Sequence, residues 1–573
     1  MQTGGPDRFR RGSGGDFLVI REREKRERQR RQRSMEEKAK AFLDDIVPEI
    51  QSLNRKTAEA YWKASTTGEK RYEEEYARSV KELLAIYADA ERFQTLKKLR
   101  DASLQDPLIR RQIDLLYAEF VGNQMKPEQI EERVRLETEI ESIFVNFRAE
   151  YRGEKVSDNE IKEAFRRERN TYKRKDLWKA SKQVGAQVKD RLLRLVRLRN
   201  ETAEALGYRD FYQMSLSLNE IDESELFTLL EELKEQTDQP FSDMKKEMDK
   251  TVAGRYDFLR PEGIRPWHYE DPFFQEAPKV FEANMDDFFK EKKLEDLADR
   301  TYRGIGLDVA VILEQSDLYE REGKSQHAFC MDIDRAGDTR VLCNLRSDAY
   351  WMNTLLHELG HGVYDKYHDR DLPYLLRQPA HISATEAVAM LMGRLGKDPE
   401  WLRCIAGVPE ERLKEVRESI RKQSILDMLV FVRWCLVMVY FERDLYTDPD
   451  RNLNQRWWDY VEQFQFLPRP EHRNQPDWAS KIHLAVAPVY YQNYLLGELM
   501  ASQILETMRR ELKTSHPLVE REEAGPFLRD RLFKPGARLP WNEWLKQATG
   551  EKLNPRYFVE QFVDAEATTV EKK

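Results

Sequence analysis

Two histidines and a glutamate lie within the segment NTLLHELGHGVYD, residues 353–365. His357 and His361 are four residues apart, so on a helix their imidazoles project from one face, one turn from each other. This spacing suits two ligands of a single zinc ion, and Glu358 would then lie beside the metal as a general base. The alternative is a helix with surface histidines. The apolar residues around the motif argue against it, because buried polar groups need partners.

A catalytic zinc site needs a third protein ligand. Glu386 follows His361 by 25 residues in the apolar segment HISATEAVAMLMGRLG, and this spacing allows a second helix to pack antiparallel against the first. His381 and His368 are alternatives, although His368 is expected at the surface within the polar sequence KYHDRD. A glutamate on an apolar helical face has few other reasons to be there, so Glu386 is the predicted ligand. One zinc ion held in this way would support amide hydrolysis.

Hydrolysis also needs hydrogen-bond donors for the oxyanion that forms when water attacks a carbonyl. The segment KIHLAVAPVYYQNYLLGELM offers several candidates, namely Lys481, His483, Tyr490, Tyr491 and Tyr494. Tyr491 and Tyr494 are three residues apart and would share one face of a helix. The alternative interpretation of this segment is an aromatic stripe in the protein core.

Helical periodicity dominates residues 36–250 and 400–445. In DESELFTLLEELKEQ, leucines recur at helical spacing after Asp222 and Glu225, which are placed as a capping box. The segments HAFCMDID and TRVLCNL are rich in β-forming residues and flank RAGD, which predicts a hairpin. We therefore expect a mainly α-helical protein with a small β-sheet before the HELGH helix.

The chain has 573 residues, of which 40% are hydrophobic and 35% charged, and its net charge is -8. This composition is typical of a soluble globular protein and argues against an extended nucleic-acid-binding surface. Residues 1–34 differ, because the charged run REREKRERQRRQRS has almost no apolar side chain to bury. We predict a disordered basic leader, or a start upstream of the true Met35; a leader that binds nucleic acid is the alternative. Residues 35–573 contain no linker and are expected to form a single domain.

The four cysteines are sparse and form no CxxC pair, which argues against a thiolate metal site and favours a reducing, cytoplasmic location. The N-terminus also lacks the apolar centre of a secretory signal. Asp427 and Arg433 interrupt the most apolar segment, SILDMLVFVRWCLVMVYFERD. It is therefore predicted to be a buried core helix, and no membrane span is expected.

Five motifs together resemble the angiotensin-converting-enzyme family of gluzincin zinc peptidases, the peptidyl-dipeptidase A type. They are AEAYWKASTTGE, SQHAFCMDID, HELGHGVYDKYHDRDLPYLLRQPAHISATEAVAM, KIHLAVAPVYYQNYL and ARLPWNEWLKQATGEKLNPRYF. Their order and spacing agree with the family from about residue 36 to 565. The resemblance implies a two-lobed helical metallopeptidase domain with a deep central channel. It also implies oligopeptide substrates and the release of dipeptides from their C-terminus.

The resemblance assigns substrate-binding residues as well. His327 and Ala328 match an edge strand that pairs with the peptide main chain. Lys481 and Tyr491 match the residues that bind the substrate's terminal carboxylate, and Tyr490 is an alternative to Tyr491.

Further matches concern catalysis. Glu358 corresponds to the base that activates water, and His483 and Tyr494 correspond to the residues that stabilise the tetrahedral intermediate. Two related activities remain as alternatives, an oligoendopeptidase like thimet oligopeptidase and a one-residue metallocarboxypeptidase like the thermostable carboxypeptidases. An inactive peptide-binding scaffold is the alternative from another functional class.

The chain also departs from the family pattern. Asn493 and Val461 stand where the family has chloride-binding arginines, which argues against chloride activation. Met390 replaces an aspartate that orients a zinc-binding histidine, and Asp365 is a candidate for that role. We find no sequence counterpart of the glutamine that helps to bind the terminal carboxylate.

Overall fold

The computed structural model describes residues 14–281 and 284–563. The amino-terminal half is built from helices and one short strand pair. Its elements are α1 (Gly14–Thr67), α2 (Lys70–Tyr87), α3 (Ala90–Arg100), α4 (Pro107–Gly122), α5 (Pro127–Asn146), β1 (Ala149–Tyr151), β2 (Glu154–Val156), α6 (Asp158–Arg167), α7 (Thr171–Ser181), α8 (Gln183–Ala205), α9 (Phe211–Leu218) and α10 (Glu223–Ala253).

The carboxyl-terminal half has the same character. Its elements are α11 (Leu294–Gly304), α12 (Ala310–Gln315), β3 (Phe329–Asp332), β4 (Thr339–Leu342), α13 (Ala349–Lys366), α14 (Ile382–Gly393), α15 (Pro399–Cys404), α16 (Glu410–Thr447), α17 (Leu453–Gln465), α18 (His483–Val486), α19 (Tyr491–Leu512), α20 (Ala524–Phe527), α21 (Trp541–Thr549) and α22 (Arg556–Phe562). Single turns of 3-10 helix and one π-helical turn, Leu528–Phe533, connect some of these elements. The prediction of a mainly α-helical fold is confirmed.

Helix α1 begins inside the segment for which the sequence predicts disorder. Residues 14–34 form its first part, and residues 1–13 lie outside the described residues. The segment is rich in arginine, glutamate, glutamine and lysine, which all have favourable helix propensity. Gln32 donates a hydrogen bond to the Ser103 carbonyl (3.0 Å), and the Glu36 carboxylate accepts one from the Asp106 N–H (2.6 Å). These contacts join α1 to the connection between α3 and α4.

Buried side chains form two large clusters. The smaller cluster joins α1 to α4 and includes Ile46, Leu96 and Ile113, and the larger one contains the interior faces of α13, α14, α16 and α19. The two-lobed shape with a deep central channel stays a prediction. A cavity of about 830 Å³ lies between α1, α4 and α14, and Thr385 is one of the residues that line it.

The predicted hairpin before the HELGH helix is confirmed. Strands β3 and β4 pair antiparallel, with Phe329 opposite Leu342 and Asp332 opposite Thr339. The turn between them contains RAGD, in which Gly337 has a φ of 120° that favours glycine. The hairpin packs on α13. Among the described residues the second edge of β3 has no paired strand.

Helix α16 contains the most apolar segment of the chain. Within the described ranges it is the single helix long and apolar enough to cross a membrane, and 67% of its most apolar window is buried inside the molecule. Arg433 in this helix is fully buried and forms an ion pair with Asp238 of α10. A buried arginine needs such a partner, because an unpaired charge in the interior is costly.

Two helices carry the predicted zinc ligands, and a third packs beside them. Helix α13 begins at the Asp348 N-cap, whose carboxylate accepts a hydrogen bond from the Trp351 N–H (2.8 Å). Helix α14 begins after His381, whose Nδ1 accepts from the Ser383 N–H (3.1 Å). Helix α13 packs against α14, and α14 packs against α19. The HELGH motif, Glu386 and the tyrosine segment therefore lie on three consecutively packed helices.

Candidate active site

The structure brings His357, His361 and Glu386 together. The Oε2 atom of Glu386 lies 3.7 Å from Nε2 of His357 and 3.9 Å from Nε2 of His361. Ligands about 2.0–2.2 Å from a tetrahedral zinc ion lie roughly 3.3–3.6 Å from one another, so the spacing of the three atoms suits zinc. His357 and His361 come from consecutive turns of α13, and Glu386 comes from the facing side of α14.

The protonation states of these residues also fit a metal ion. Burial lowers the pKa of His357 to about 4 and that of His361 to about 3, so both imidazoles are neutral near pH 7. A neutral imidazole is the form that binds a metal. Burial raises the pKa of Glu386 to about 7, because no cationic side chain compensates its charge among the described residues. A divalent cation would supply that compensation.

Two groups orient the imidazoles. The Oγ1 atom of Thr385 lies 2.6 Å from Nδ1 of His361, and His357 hydrogen-bonds the backbone of Ala389. Such partners fix the ring orientation and the tautomer of a metal ligand. The suggestion that Asp365 has this role is wrong, because Asp365 lies with Asp332 in a separate cluster.

The alternative zinc ligands lie elsewhere. His381 caps α14 and its ring centroid is 6.0 Å from that of Trp541. His368 belongs to the cluster that contains Asp365. It is 4% exposed, so the expectation that it lies at the surface is wrong. The KYHDRD sequence is polar, but α13 ends there against the hairpin and Tyr364 packs on the His368 ring.

Glu358 is buried beside the predicted zinc ligands, with 8% of its surface exposed. Its carboxylate accepts a hydrogen bond from the backbone of Cys330 in β3. Burial, and then the negative charge of Glu386, together raise the pKa of Glu358 to about 8. The carboxyl group is thus held next to the site and can take up a proton near neutral pH.

Helix α19 brings tyrosines to this site. Gly497 packs on Glu386, since a methyl group on the glycine would lie 3.2 Å from the Glu386 Cβ atom. One turn earlier, the ring of Tyr494 lies 5.0 Å from that of Tyr490. Burial raises the pKa of both tyrosines, and the charge of Glu386 contributes to both shifts. Both phenols therefore lie near the zinc ligands and remain protonated donors.

Tyr491 lies in a different environment. Its ring centroid is 5.7 Å from Nζ of Lys481 and 5.3 Å from the imidazole of His483. Burial lowers the pKa of Lys481 to about 8. Burial, and then the charge of Lys481, lowers the pKa of His483 to about 4. Of the two adjacent tyrosines, Tyr491 thus lies next to Lys481, and the rings of both tyrosines lie near that of Tyr494.

Gln275 is a site residue that the sequence does not reveal. Its Oε1 atom accepts a hydrogen bond from Nζ of Lys481 (2.6 Å), although 206 residues separate the two. Asp271 holds the glutamine in place by accepting from its N–H (3.0 Å) and from its Nε2 (3.0 Å). Gln275 thus has the position expected of the glutamine that helps to bind the terminal carboxylate, for which the sequence shows no counterpart. The only local signal is the Asp-Pro turn at residues 271–272, which predicts a loop and no partner.

His327 and Ala328 do not lie within a strand. His327 is exposed in a bend, and β3 begins one residue after Ala328. The strand therefore begins at Phe329, two residues after His327, where the sequence predicts an edge strand. The unpaired edge of β3 itself, which carries Cys330 and contacts α13, is still adjacent to Glu358.

The positions of the missing chloride-binding arginines are also buried. Asn493 is 3% exposed and Val461 is 4% exposed. Neither side chain carries a positive charge that would bind an anion. Independence of chloride remains a prediction.

Two family models match the chain in separate parts. The model of angiotensin-converting enzyme matches residues 33–258, and the model of peptidase family M3 matches residues 314–564. The second match contains the zinc donors, Glu358 and the segment from Lys481 to Tyr494. The resemblance to gluzincin peptidases of the angiotensin-converting-enzyme kind is confirmed.

Individual relatives are distant. Angiotensin-converting enzyme of Mesocricetus auratus is 24% identical over 295 residues, which are 48% of this chain and 22% of the relative. The enzyme of Mus musculus is 27% identical over 205 residues, 34% of this chain and 15% of the relative. An inactive angiotensin-converting enzyme-related protein of Caenorhabditis elegans is 24% identical over 205 residues, 34% of this chain and 22% of the relative. The matched segments thus span less than a quarter of these relatives.

Proposed function

We propose that this chain, a zinc metallopeptidase of the angiotensin-converting-enzyme and M3 kind, releases dipeptides from the free carboxyl end of short peptides. The observation that carries the proposal is the layout of α19. Gly497, in the second turn of the helix, lies against Glu386, and the first residue of the helix, Tyr491, lies beside Lys481. A group that can act on a peptide bond and a group that can bind a terminal carboxylate are thus joined by one rigid element.

The proton chemistry follows from the buried carboxylate. Glu358 accepts a proton from the attacking water and then passes it to the leaving amine. Its hydrogen bond to the Cys330 backbone holds the carboxylate in one orientation during both steps. When bound, zinc supplies a Lewis acid that polarises the scissile carbonyl and favours deprotonation of water.

Tyr494 donates a hydrogen bond to the oxyanion. Its raised pKa keeps the phenol protonated, which a donor requires. His483, which is neutral near pH 7, steadies the same tetrahedral centre from the side of Tyr491. Its Nδ1 atom is buried and has no hydrogen-bond partner within the described ranges.

Lys481, Gln275 and Tyr491 form the group that binds the terminal carboxylate. The lysine supplies the charge and Gln275 fixes the position of its ammonium group. Burial strengthens the attraction, because a charge pair is weaker in water than in a protein interior. Lys481 is 8% exposed.

The dimensions of α19 support release of two residues. Tyr491 and Gly497 are six residues apart in this helix, which corresponds to about 9 Å along its axis. The ring centroids of Tyr491 and Tyr494 are 5.7 Å apart. An extended peptide advances about 3.3–3.6 Å per residue, so two residues span roughly 7 Å. The rise of about 9 Å along the helix is closer to the span of two extended residues than to that of one, which supports the proposed release of dipeptides.

The part of the substrate on the amino-terminal side of the cleaved bond would bind along β3. Its unpaired edge can add one extended strand, and this mode of binding accepts many side chains. Short unfolded peptides are therefore the proposed substrates. A cytoplasmic location is part of the same proposal, supported by the four free cysteines.

Digestion of a defined peptide library tests the proposal. The protein, supplied with zinc, is incubated with peptides that differ only in length and in a free or amidated carboxyl end, and the fragments are identified by mass. Products shortened by two residues, from free-acid peptides only, are expected. Loss of single residues would support the one-residue carboxypeptidase, and internal cuts in amidated peptides would support the oligoendopeptidase. Tight binding of intact peptides without any product would support the inactive scaffold.

A further inference from the structure

A second group of potential metal ligands lies one helical turn beyond the zinc ligands. Asp332, Asp365 and His368 each offer a ligand atom, and the three atoms lie within 4.8 Å of one another. Asp332 ends β3, Asp365 lies in the last turn of α13, and His368 follows that helix. None of the three belongs to the active site described above.

His368 gives the first indication of a missing partner. It is 4% exposed, and neither of its ring nitrogens has a hydrogen-bond partner among the described residues. A buried imidazole without partners loses its hydration and gains no hydrogen bond in return, which is destabilising. One of these nitrogens is the atom that faces the two carboxylates.

The two carboxylates, which are partly buried, have few direct partners. Asp365 forms no hydrogen bond or ion pair within 14–281 and 284–563. Oδ1 of Asp332 accepts from the N–H groups of Arg335 (2.8 Å) and Asp334 (3.3 Å), which leaves its second oxygen free. The charge of Arg335 lowers the pKa of both aspartates. Its guanidinium, however, lies 5.0 Å from the ring centroid of Tyr374 and makes no ion pair with either aspartate in the described chain.

The electrostatics point in the same direction. Burial raises the pKa of Asp332 to about 6 and that of Asp365 well above its usual value, and the two carboxylates repel each other. Burial lowers the pKa of His368 to about 3, so that its imidazole is neutral. A bound cation would remove the repulsion between the aspartates and give the imidazole a partner.

We propose that Asp332, Asp365 and His368 form a second metal site that takes a divalent transition-metal ion such as Zn²⁺ or Mn²⁺. Two carboxylates with one imidazole suit these ions better than Ca²⁺ or Mg²⁺, which prefer oxygen ligands alone. The ion ties the end of β3 to the end of α13. It thereby fixes the hairpin, whose edge faces the peptide, relative to the helix that carries His357 and His361.

Metal content measures the site independently of catalysis. The wild-type protein and three variants, His361→Ala, Asp365→Asn and the double variant, are stripped with a chelator, equilibrated with Zn²⁺ and analysed by mass spectrometry of the metal. We expect two equivalents in the wild type, one in each single variant and none in the double variant. One equivalent in both the wild type and Asp365→Asn would overturn the second site. Loss of all metal in His361→Ala would also overturn it, whereas failure of the proposed peptidase would leave the expected values unchanged.

A second measurement avoids variants that fold poorly. Crystals of the wild-type protein equilibrated with Zn²⁺ are analysed by anomalous scattering at the zinc edge. Peaks at both groups of ligands are expected. A peak at His357 and His361 without one at His368 would contradict the proposal. The circular dichroism spectrum of each variant is recorded beside the metal content, and Asp332→Asn replaces Asp365→Asn if the latter is unfolded.

Discussion

Gly360 of α13 lies directly against Ala389 of α14. A methyl group at position 360 would be 2.7 Å from the Cα atom of Ala389, closer than such atoms can approach. The absence of a side chain therefore sets the separation of the two helices. This separation in turn brings Glu386 to the imidazoles of His357 and His361.

Substitution Gly360→Ala should destabilise the protein by about 1–3 kcal/mol, the usual cost of overpacking a close contact. The clash is with backbone, which cannot rotate away. Denaturant unfolding monitored by circular dichroism measures the effect, and zinc affinity should fall with it. Gly122→Ala is the matched control, because a methyl group there meets nothing within 4 Å. Equal stability of the two variants would contradict the close packing of α13 on α14.

Substitution Glu358→Gln should keep zinc and lower turnover by about two to four orders of magnitude. The ligands remain, but the proton acceptor is removed. Peptide hydrolysis and metal content are measured on the same preparation. Glu322→Gln, at an exposed glutamate, is the control and should retain full activity. Wild-type turnover of Glu358→Gln would exclude the role of this residue as a base.

Substitution Tyr494→Phe should lower kcat by about 10² to 10³ and leave KM nearly unchanged, since an oxyanion donor acts mainly in the transition state. Tyr490→Phe is the informative comparison, because both phenols sense the charge of Glu386. Steady-state kinetics with one free-acid peptide separates the two. A larger kcat defect in Tyr490→Phe would transfer the role to that tyrosine, and Tyr172→Phe, at an exposed position, controls for surface effects.

Binding of free-acid peptides should weaken as the pH rises above about 8. The pKa of Lys481 is lowered to about 8 by burial, so the ammonium group is charged below this pH and neutral above it. The attraction for a carboxylate is therefore present at pH 7 and lost in alkaline solution. The ratio of KM for a free-acid peptide to that for its amidated form, measured from pH 6.5 to 9.5, reports the loss. Lys481→Arg stays charged throughout this pH range, so its KM ratio should not change with pH. If the ratio in Lys481→Arg changed with pH as it does in the wild type, Lys481 would not be the residue that binds the carboxylate.

Substitution Thr385→Val should reduce zinc affinity by about 10- to 100-fold, as expected when a group that orients a metal ligand is lost. Valine has nearly the same shape but cannot hydrogen-bond Nδ1 of His361. Competition with a fluorescent chelator measures the affinity. Thr385→Ser retains the hydroxyl and should restore most of it. Similar zinc affinity in all three proteins would show that the contact does not orient the imidazole.

Local sequence patterns predicted much of this arrangement. The spacing of His357 and His361 is a property of one helix, and Glu386 stands out as a carboxylate on an apolar helical face. Gln275 and Thr385 could not be found in this way. Gln275 meets Lys481 across 206 residues, and a hydroxyl next to a glutamate carries no distinctive spacing.

The errors have the same physical origin. His368 lies in a polar sequence, yet the hairpin and Tyr364 cover it, and only tertiary packing decides such burial. Residues 21–34 lack apolar side chains, but α1 continues through them, in keeping with their high helix propensity. Composition alone cannot distinguish a solvated helix from an irregular segment.

The open edge of β3 offers amide and carbonyl groups that can pair with the backbone of a peptide. Nearly every peptide has the same backbone groups. Chemical changes to a substrate's backbone should therefore matter more than changes to its side chains. Proline or an N-methylated residue opposite Cys330 lacks the N–H that the strand needs, and such peptides should survive in a mixture from which other peptides are removed.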